Sequence, residues 1–291
     1  MLNLDHLLQL TPKGFTAHTL EVGDHKIYYE TAGKEDATNT FILSHGAAGT
    51  GRFMNVMAQK LIDTSERVKV IVLDLPYHGQ SASVKEPKSK FSVHDYATIV
   101  SDLIDALYEA GEIQGNLNWI GWSMGGSIGM LLDLKGVEFN TLSLVNSSPV
   151  WDTVDGLIYT LPEFSDPDLL PVVFKSIVAE NLNTNFSTQD QETVLKHYED
   201  ITPTGEVMVQ DFAAIAGQHY NIVEQVKDLK AHVIVIGGET DVVATTQHHD
   251  ILCENLSNGT HLMLPDNHVQ LVKEQYVEEM VNTILTCSGS I

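Results

Sequence analysis

Cysteine is nearly absent from this 291-residue chain: Cys253 and Cys287 are too few, and too late in the sequence, to make a disulfide framework. A reducing, cytoplasmic setting is therefore expected, with a single bridge between the two as the alternative. Basic residues are scarce as well, 16 Lys and Arg against 39 Asp and Glu, for a formal charge of −23. Such a surface repels phosphate backbones and anionic lipid, which excludes nucleic acid as the expected partner. Solubility or a salty habitat accounts for the acidity better than recruitment of a cationic partner does. Long apolar runs are missing too. Val68 to Leu75 is interrupted by Lys69 and falls far short of the roughly 20 residues that cross a bilayer, so no membrane span is expected. Met1 to Pro12 carries Asp5 and His6 where a secretory signal would need basic residues and then an unbroken apolar stretch. It reads as a short amphipathic lead-in. Internal repeats and low-complexity linkers are lacking.

What the chain does have is enough apolar residues, 43%, to bury a large core in one domain or one domain with a lid. Short β-rich runs alternate with segments of helical period, the pattern of an α/β protein whose mostly parallel central sheet is flanked by helices. His25 to Glu30 reads as an edge strand. Thr40 to Ser44 and, Lys69 aside, Val68 to Leu73 are apolar runs, as central strands buried on both faces require. Gly51 to Ile62 and Ser92 or His94 to Glu109 carry apolar residues at helical spacing, the second ending at Gly111. Leu117 to Gly121 then reads as strand, Ser123 to Leu134 as helix and Thr141 to Asn146 as strand. From Ser147 to Tyr220 the rhythm changes. That stretch has five prolines, helix-like pieces at Val172 to Leu182 and Thr188 to Asp200, no convincing strand, and Lys175 and Lys196 against about a dozen carboxylates. A helical cap insertion at 147–220 is expected, splitting a core of 1–146 and 221–291. Strand pattern resumes at His232 to Gly237 and Thr260 to Leu264, and Val269 to Leu285 closes the chain as a helix.

The chemistry gathers where strands end. Gly121-Trp122-Ser123-Met124-Gly125 joins a strand to a helix of small residues, the context in which Gly-x-Ser-x-Gly marks an exposed nucleophile on a sharp turn. An alcohol attacks only as a base removes its proton, and the base needs a carboxylate to hold its tautomer. Among 13 histidines, His268 follows the strand ending at Leu264 by a short loop, ahead of the last helix. His261, inside that strand, competes with it and reads as a packing or hydrogen-bonding residue. Asp241 follows the strand ending near Gly237, with Glu239 as the fallback acid. Asn146 also sits where an acid is possible, but an amide supplies no charge. The order Ser123, Asp241, His268 is the order this architecture uses. An oxyanion needs preorganised donors, and the N–H groups of Met124 and of Ala47, in the loop His45-Gly46-Ala47-Ala48-Gly49, are the expected pair. The same loop is a poor phosphate cradle, lacking the Gly-Lys-Ser/Thr ending. His248-His249-Asp250 is a poor metal site because adjacent side chains point apart.

Together these segments resemble the α/β-hydrolase superfamily, in particular its cap-bearing, esterase-like members. The residues that carry the resemblance are Ser44-His45-Gly46, Asp74-Leu75-Pro76-Tyr77-His78-Gly79-Gln80-Ser81, Gly121 to Gly126, Gly238-Glu239-Thr240-Asp241 and His268. It spans nearly the whole chain from about residue 15, the insertion excepted. Two departures stand out: Asn267 precedes the histidine where the family often has Gly, and Tyr77 stands where Gly is usual. A serine rather than an aspartate nucleophile points away from the epoxide-hydrolase and haloalkane-dehalogenase branches. The resemblance implies a hydrolase that cleaves a small carboxylic ester through an acyl-enzyme, without cofactor or metal. Trp151, Phe164, Phe174, Phe186 and Phe212 would wall its pocket or form the cap's own core. A carbon–carbon bond hydrolase acting on a diketone and a ligand-binding protein with slow turnover are the alternatives.

Overall fold

Strand burial sets the architecture. The structure is a computed structural model that describes residues 5–83, 91–151, 162–182, 187–215 and 220–291. One sheet holds β1 (Thr16–Val22), β2 (His25–Gly33), β3 (Asn39–Ser44), β4 (Val68–Leu73), β5 (Ala82–Ser83), β6 (Asn116–Trp122), β7 (Thr141–Val145), β8 (His232–Gly238) and β9 (Gly259–Leu264). Its order is β1-β2-β4-β3-β6-β7-β8-β9, with β5 paired onto β2. Every pairing from β4 to β9 is parallel, while β2 runs antiparallel to β1, β4 and β5. Every residue of β3 and β4 is buried, because helices cover both faces of a parallel sheet. Lys69 is tolerated inside β4 by an ion pair with Glu112 at 2.6 Å.

The edge strand expected at His25 to Glu30 is a second strand. β1 lies outside it, and the mostly exposed Thr-Ala-His-Thr-Leu-Glu-Val sequence of β1 gives little apolar signal.

The helices are α1 (Asp5–Leu8), α2 (Asn55–Thr64), α3 (Val93–Glu109), α4 (Met124–Lys135), α5 (Leu170–Leu182), α6 (Thr188–Lys196), α7 (Tyr198–Ile201), α8 (Gly205–Ile215), α9 (Thr246–Asn255) and α10 (Glu274–Cys287). In α3, Ser92 and Asp95 form a reciprocal capping box, and Tyr96, Val100, Leu103, Ile104 and Leu107 make the buried stripe. Loss of such a cap costs about 1 kcal/mol. The helix expected at Gly51 to Ile62 begins as a 3₁₀ turn, Gly51–Met54, and the one expected at Thr188 to Asp200 divides at His197.

Between β7 and β8 the described residues hold α5 to α8 and no strand. A single bridge, Val150 to Asn221, joins the two ends of this segment, and the Ile222 N–H donates to the Pro149 carbonyl at 2.9 Å. Among the described residues no helix is long and apolar enough to cross a membrane.

Candidate active site

At the end of β6 the chain turns directly into α4 through Ser123, whose φ of 53° lies in the left-handed region that a side chain disfavours. The turn is over-determined. The Ser123 N–H donates to the Val145 carbonyl at 2.9 Å, and the Ser123 carbonyl accepts from Ser147 Oγ at 2.8 Å and from the Gly126 N–H at 3.0 Å. A Cβ on Gly121 would stand 2.3 Å from the Gly125 carbonyl carbon, so strand and helix pass this closely only with glycine there. A Cβ on Gly46 would come within 2.8 Å of Ser123 Cβ, which shows how tightly the His45 loop presses on the serine.

Asp241 and His268 follow the ends of β8 and β9. Asp241 Oδ1 accepts the N–H groups of Val243 and Ala244 at 2.7 and 2.9 Å. Its Oδ2 lies 2.8 Å from His268 Nδ1 and accepts Asn146 Nδ2 at 2.6 Å. Asn146, itself at φ 48°, accepts in turn from Gln270 Nε2 at 2.6 Å. The His268 carbonyl takes the Trp122 indole N–H at 2.9 Å. The carboxylate in contact with His268 is therefore Asp241. Glu239 is exposed, and His261 is exposed on β9, 2.7 Å from Cys253 Sγ.

The His45 loop is held from below. His45 Nε2 accepts the Leu75 N–H at 3.0 Å while its Nδ1 donates to the Gly46 carbonyl at 2.8 Å, a pattern that requires a neutral ring. Burial first, and then the nearby His78, press its pKa well below the usual histidine value. The Ala48 N–H, at φ 55°, donates to Asp211 Oδ2 at 2.8 Å. Asp211 belongs to α8, so the segment between β7 and β8 reaches down to this loop. Its Oδ2 also lies 2.8 Å from His78 Nε2, and its Oδ1 accepts the Tyr96 hydroxyl at 2.7 Å. Ala47 lines the cavity beside Ser123. Met124 is the first residue of α4, where backbone N–H groups have no intrahelical acceptor.

Ser123 and His268 share a cavity of about 360 Å³ with Ala47, Trp122, Phe164, Phe174, Phe212 and Val243. Phe212 meets Phe164 edge to face at 4.9 Å and Phe174 at 5.8 Å. Trp151 is fully buried, its ring 5.6 Å from that of His248, and is not part of the lining. Phe186 lies outside the described residues. Tyr77 packs between His25 and Phe91, and its φ of 73° explains why glycine suits that position. Cys253 and Cys287 are both free thiols.

Sequence reasoning missed Asn146 and Gln270 as supports of Asp241, and it missed the Asp211–His78 pair. Asn146 could have been found, since its place at the end of β7 was plain. Asp211 gave no local signal, being 133 residues from His78 in sequence.

A family model described as serine aminopeptidase, S33, matches residues 35–266. Comparison of the sequence with curated proteins returns no match. Among solved structures, an esterase from Exiguobacterium antarcticum superposes with a TM-score of 0.75 at 18% identity, covering 94% of this chain and 100% of that one. An enol-lactonase from Burkholderia xenovorans gives 0.72 at 16% identity, covering 93% and 99%. A bromoperoxidase from Bacillus anthracis gives 0.76 at 14% identity, covering 93% and 100%. The three share this α/β-hydrolase fold under different names, so the fold leaves the reaction open.

Proposed function

We propose, from the premise that the chain belongs to the serine aminopeptidase S33 family of hydrolases, that it cleaves a small carboxylic ester through an acyl-enzyme on Ser123. The observation that carries this reading is the convergence on one apolar cavity of a serine on a strained turn and a histidine bonded to a buried carboxylate. Ser123 Oγ attacks the ester carbonyl as His268 takes its proton. Asp241 holds the His268 Nδ1–H and balances the imidazolium that forms. The N–H groups of Ala47 and Met124 stabilise the oxyanion. His268 then protonates the departing alkoxide, and a water molecule, deprotonated by the same ring, cleaves the acyl-enzyme.

The segment 147–220 acts as a cap. Its Phe164, Phe174 and Phe212 supply an apolar wall that excludes water and suits a short acyl or alkyl chain. Asp211 couples this cap to the reacting centre by holding the Ala48 amide, one residue from the proposed donor.

One observation favours a second reading. Glu180, exposed on α5, is the one carboxylate among the described residues that line the cavity. A substrate bearing a cation near the scissile bond, such as an aminoacyl amide, would use it.

The test is a fluorophosphonate probe followed by peptide mapping, together with p-nitrophenyl esters of increasing chain length and aminoacyl nitroanilides. Labelling of Ser123 and turnover of short esters are expected. A folded protein that leaves Ser123 unlabelled defeats the serine mechanism. Turnover of the nitroanilides alone replaces the ester reading with the second.

A further inference from the structure

At the β9 edge of the sheet, away from the cavity lining, three donors converge that the proposed reaction does not use. His249 and Cys253 are four residues apart on α9 and so share one face of it. His261 reaches toward them from β9. Cys253 Sγ lies 3.4 Å from His249 Nδ1 and 2.7 Å from His261 Nδ1. One donor atom from each residue falls within 4.8 Å of the other two. His249 and Cys253 are half-buried and His261 is exposed, so the cluster is open to solvent on one side. A second sulfur flanks it. Met263 shares a face of β9 with His261, and a Cβ on Gly237 would meet His249 Cδ2 at 2.8 Å and Met263 Sδ at 3.1 Å.

We propose that His249, Cys253 and His261 bind a borderline-soft divalent transition-metal ion, Zn²⁺ by preference, which clips α9 to the edge strand β9. Two imidazoles and a thiolate are a donor set that Zn²⁺ favours, with Zn–S near 2.3 Å and Zn–N near 2.0–2.1 Å. Tetrahedral bonding at those lengths leaves sulfur and nitrogen roughly 3.5 Å apart. The 3.4 Å contact already meets this. The 2.7 Å contact must open by under about 1 Å, which an exposed side chain on an edge strand allows. Without the ion, the Cys253 thiol and the His261 ring form a hydrogen bond. Binding releases the thiol proton to solvent, both histidines bind through neutral nitrogens, and the fourth position is left to water or to the Met263 thioether. The net negative charge of the chain favours approach of a cation.

The site differs from the adjacent triplet His248-His249-Asp250. His249 finds its partners one helical turn on and across on the strand, where side chains do converge. The clip would tie the segment after Asp241 to the strand before His268, and so steady the frame of both.

Titration of metal-free, untagged protein with Co²⁺ tests the proposal. The expected result is a tetrahedral visible spectrum with a near-ultraviolet thiolate-to-cobalt band, saturating at one equivalent and displaced by one equivalent of Zn²⁺. Cys253→Ser abolishes the near-ultraviolet band and Cys287→Ser keeps it. His261→Gln, at an exposed position that folding tolerates, weakens binding by more than the roughly tenfold loss of an outer partner. Zn²⁺ raises the thermal midpoint of the parent chain but not of Cys253→Ser. No thiolate band at saturating Co²⁺, or a band that survives Cys253→Ser, overturns the proposal. Ser123→Ala binds Co²⁺ like the parent chain, which separates this result from the fate of the hydrolytic reading.

Discussion

Two buried histidine–carboxylate pairs lie on either side of the His45 loop, each with a nitrogen-to-oxygen distance of 2.8 Å, and their surroundings give them opposite characters. His268 borders the cavity, and its Nδ1 faces Asp241. His78 is sealed, and both its nitrogens meet acceptors: Asp211 Oδ2 and, at 2.9 Å, the Pro76 carbonyl. A ring with acceptors at both nitrogens must carry two protons. Burial opposes that charge, but the charge and hydrogen bond of Asp211, with the Pro76 carbonyl, outweigh it and raise the His78 pKa. The same two side-chain types thus make a pair open to the cavity where one ring edge borders it and a sealed ion pair where none does. The sealed pair bolts α8 to the loop bearing Ala47. The open pair borders, through His268, the same cavity as Ser123.

The contrast can be broken from the open side first. Ser123→Ala should lower ester turnover by roughly 10⁴-fold or more while leaving the fold intact, read by initial rates and circular dichroism. Asp241→Asn comes next, with a loss of about 10³- to 10⁴-fold in kcat, because the amide presents the wrong hydrogen-bonding partner to His268. Near-normal turnover in that variant would move the acid elsewhere.

On the sealed side, Asp211→Asn should cost about 1.5–3 kcal/mol in denaturant unfolding, the worth of hydrogen bonds to a charged group. It should also lower kcat by roughly tenfold with little change in KM, since the Ala48 amide is displaced while the apolar wall remains. A stability loss with unchanged kcat would make the pair purely structural. Its pH dependence has a definite sign. His78 has a raised folded-state pKa, so its contribution is complete below about 6.5 and is lost as pH rises through the raised value. Asp211→Asn should flatten that alkaline limb.

Another buried ring, His248, responds with the reverse sign. Burial, reinforced by His268 and opposed by Asp241, lowers its pKa to about 4. Its Nδ1 accepts the Thr245 N–H at 3.1 Å, as a neutral ring must. Stability should therefore fall between about pH 6.5, where the unfolded ring gains a proton, and about 4. His248→Asn keeps an acceptor for the Thr245 amide and should reduce that acid slope, measured by urea unfolding at successive pH values.

Legibility in the sequence followed the range of the interactions. β3 and β4 announced themselves because strands buried on both faces need apolar runs, broken in β4 only by Lys69, and α3 did so through its buried stripe and its Ser92 cap. β1 did not, since an exposed outer strand has no such need. At the site, Ser123, Asp241 and His268 were legible from their places at strand ends, and the structure brings the last two into contact and the first and last to one cavity. Asn146 was seen and discounted for lacking charge, yet it donates to Asp241.

The chain by itself determined the αβ alternation, the strained serine turn and the order of the candidate site residues, because backbone sterics and burial periodicity act within a few residues. Only the tertiary structure decided which histidine is charged, which carboxylate crosses from α8 to the Ala48 amide, and that His249, Cys253 and His261 meet. Those outcomes depend on desolvation and on hydrogen-bond partners from distant segments, and no local pattern encodes either.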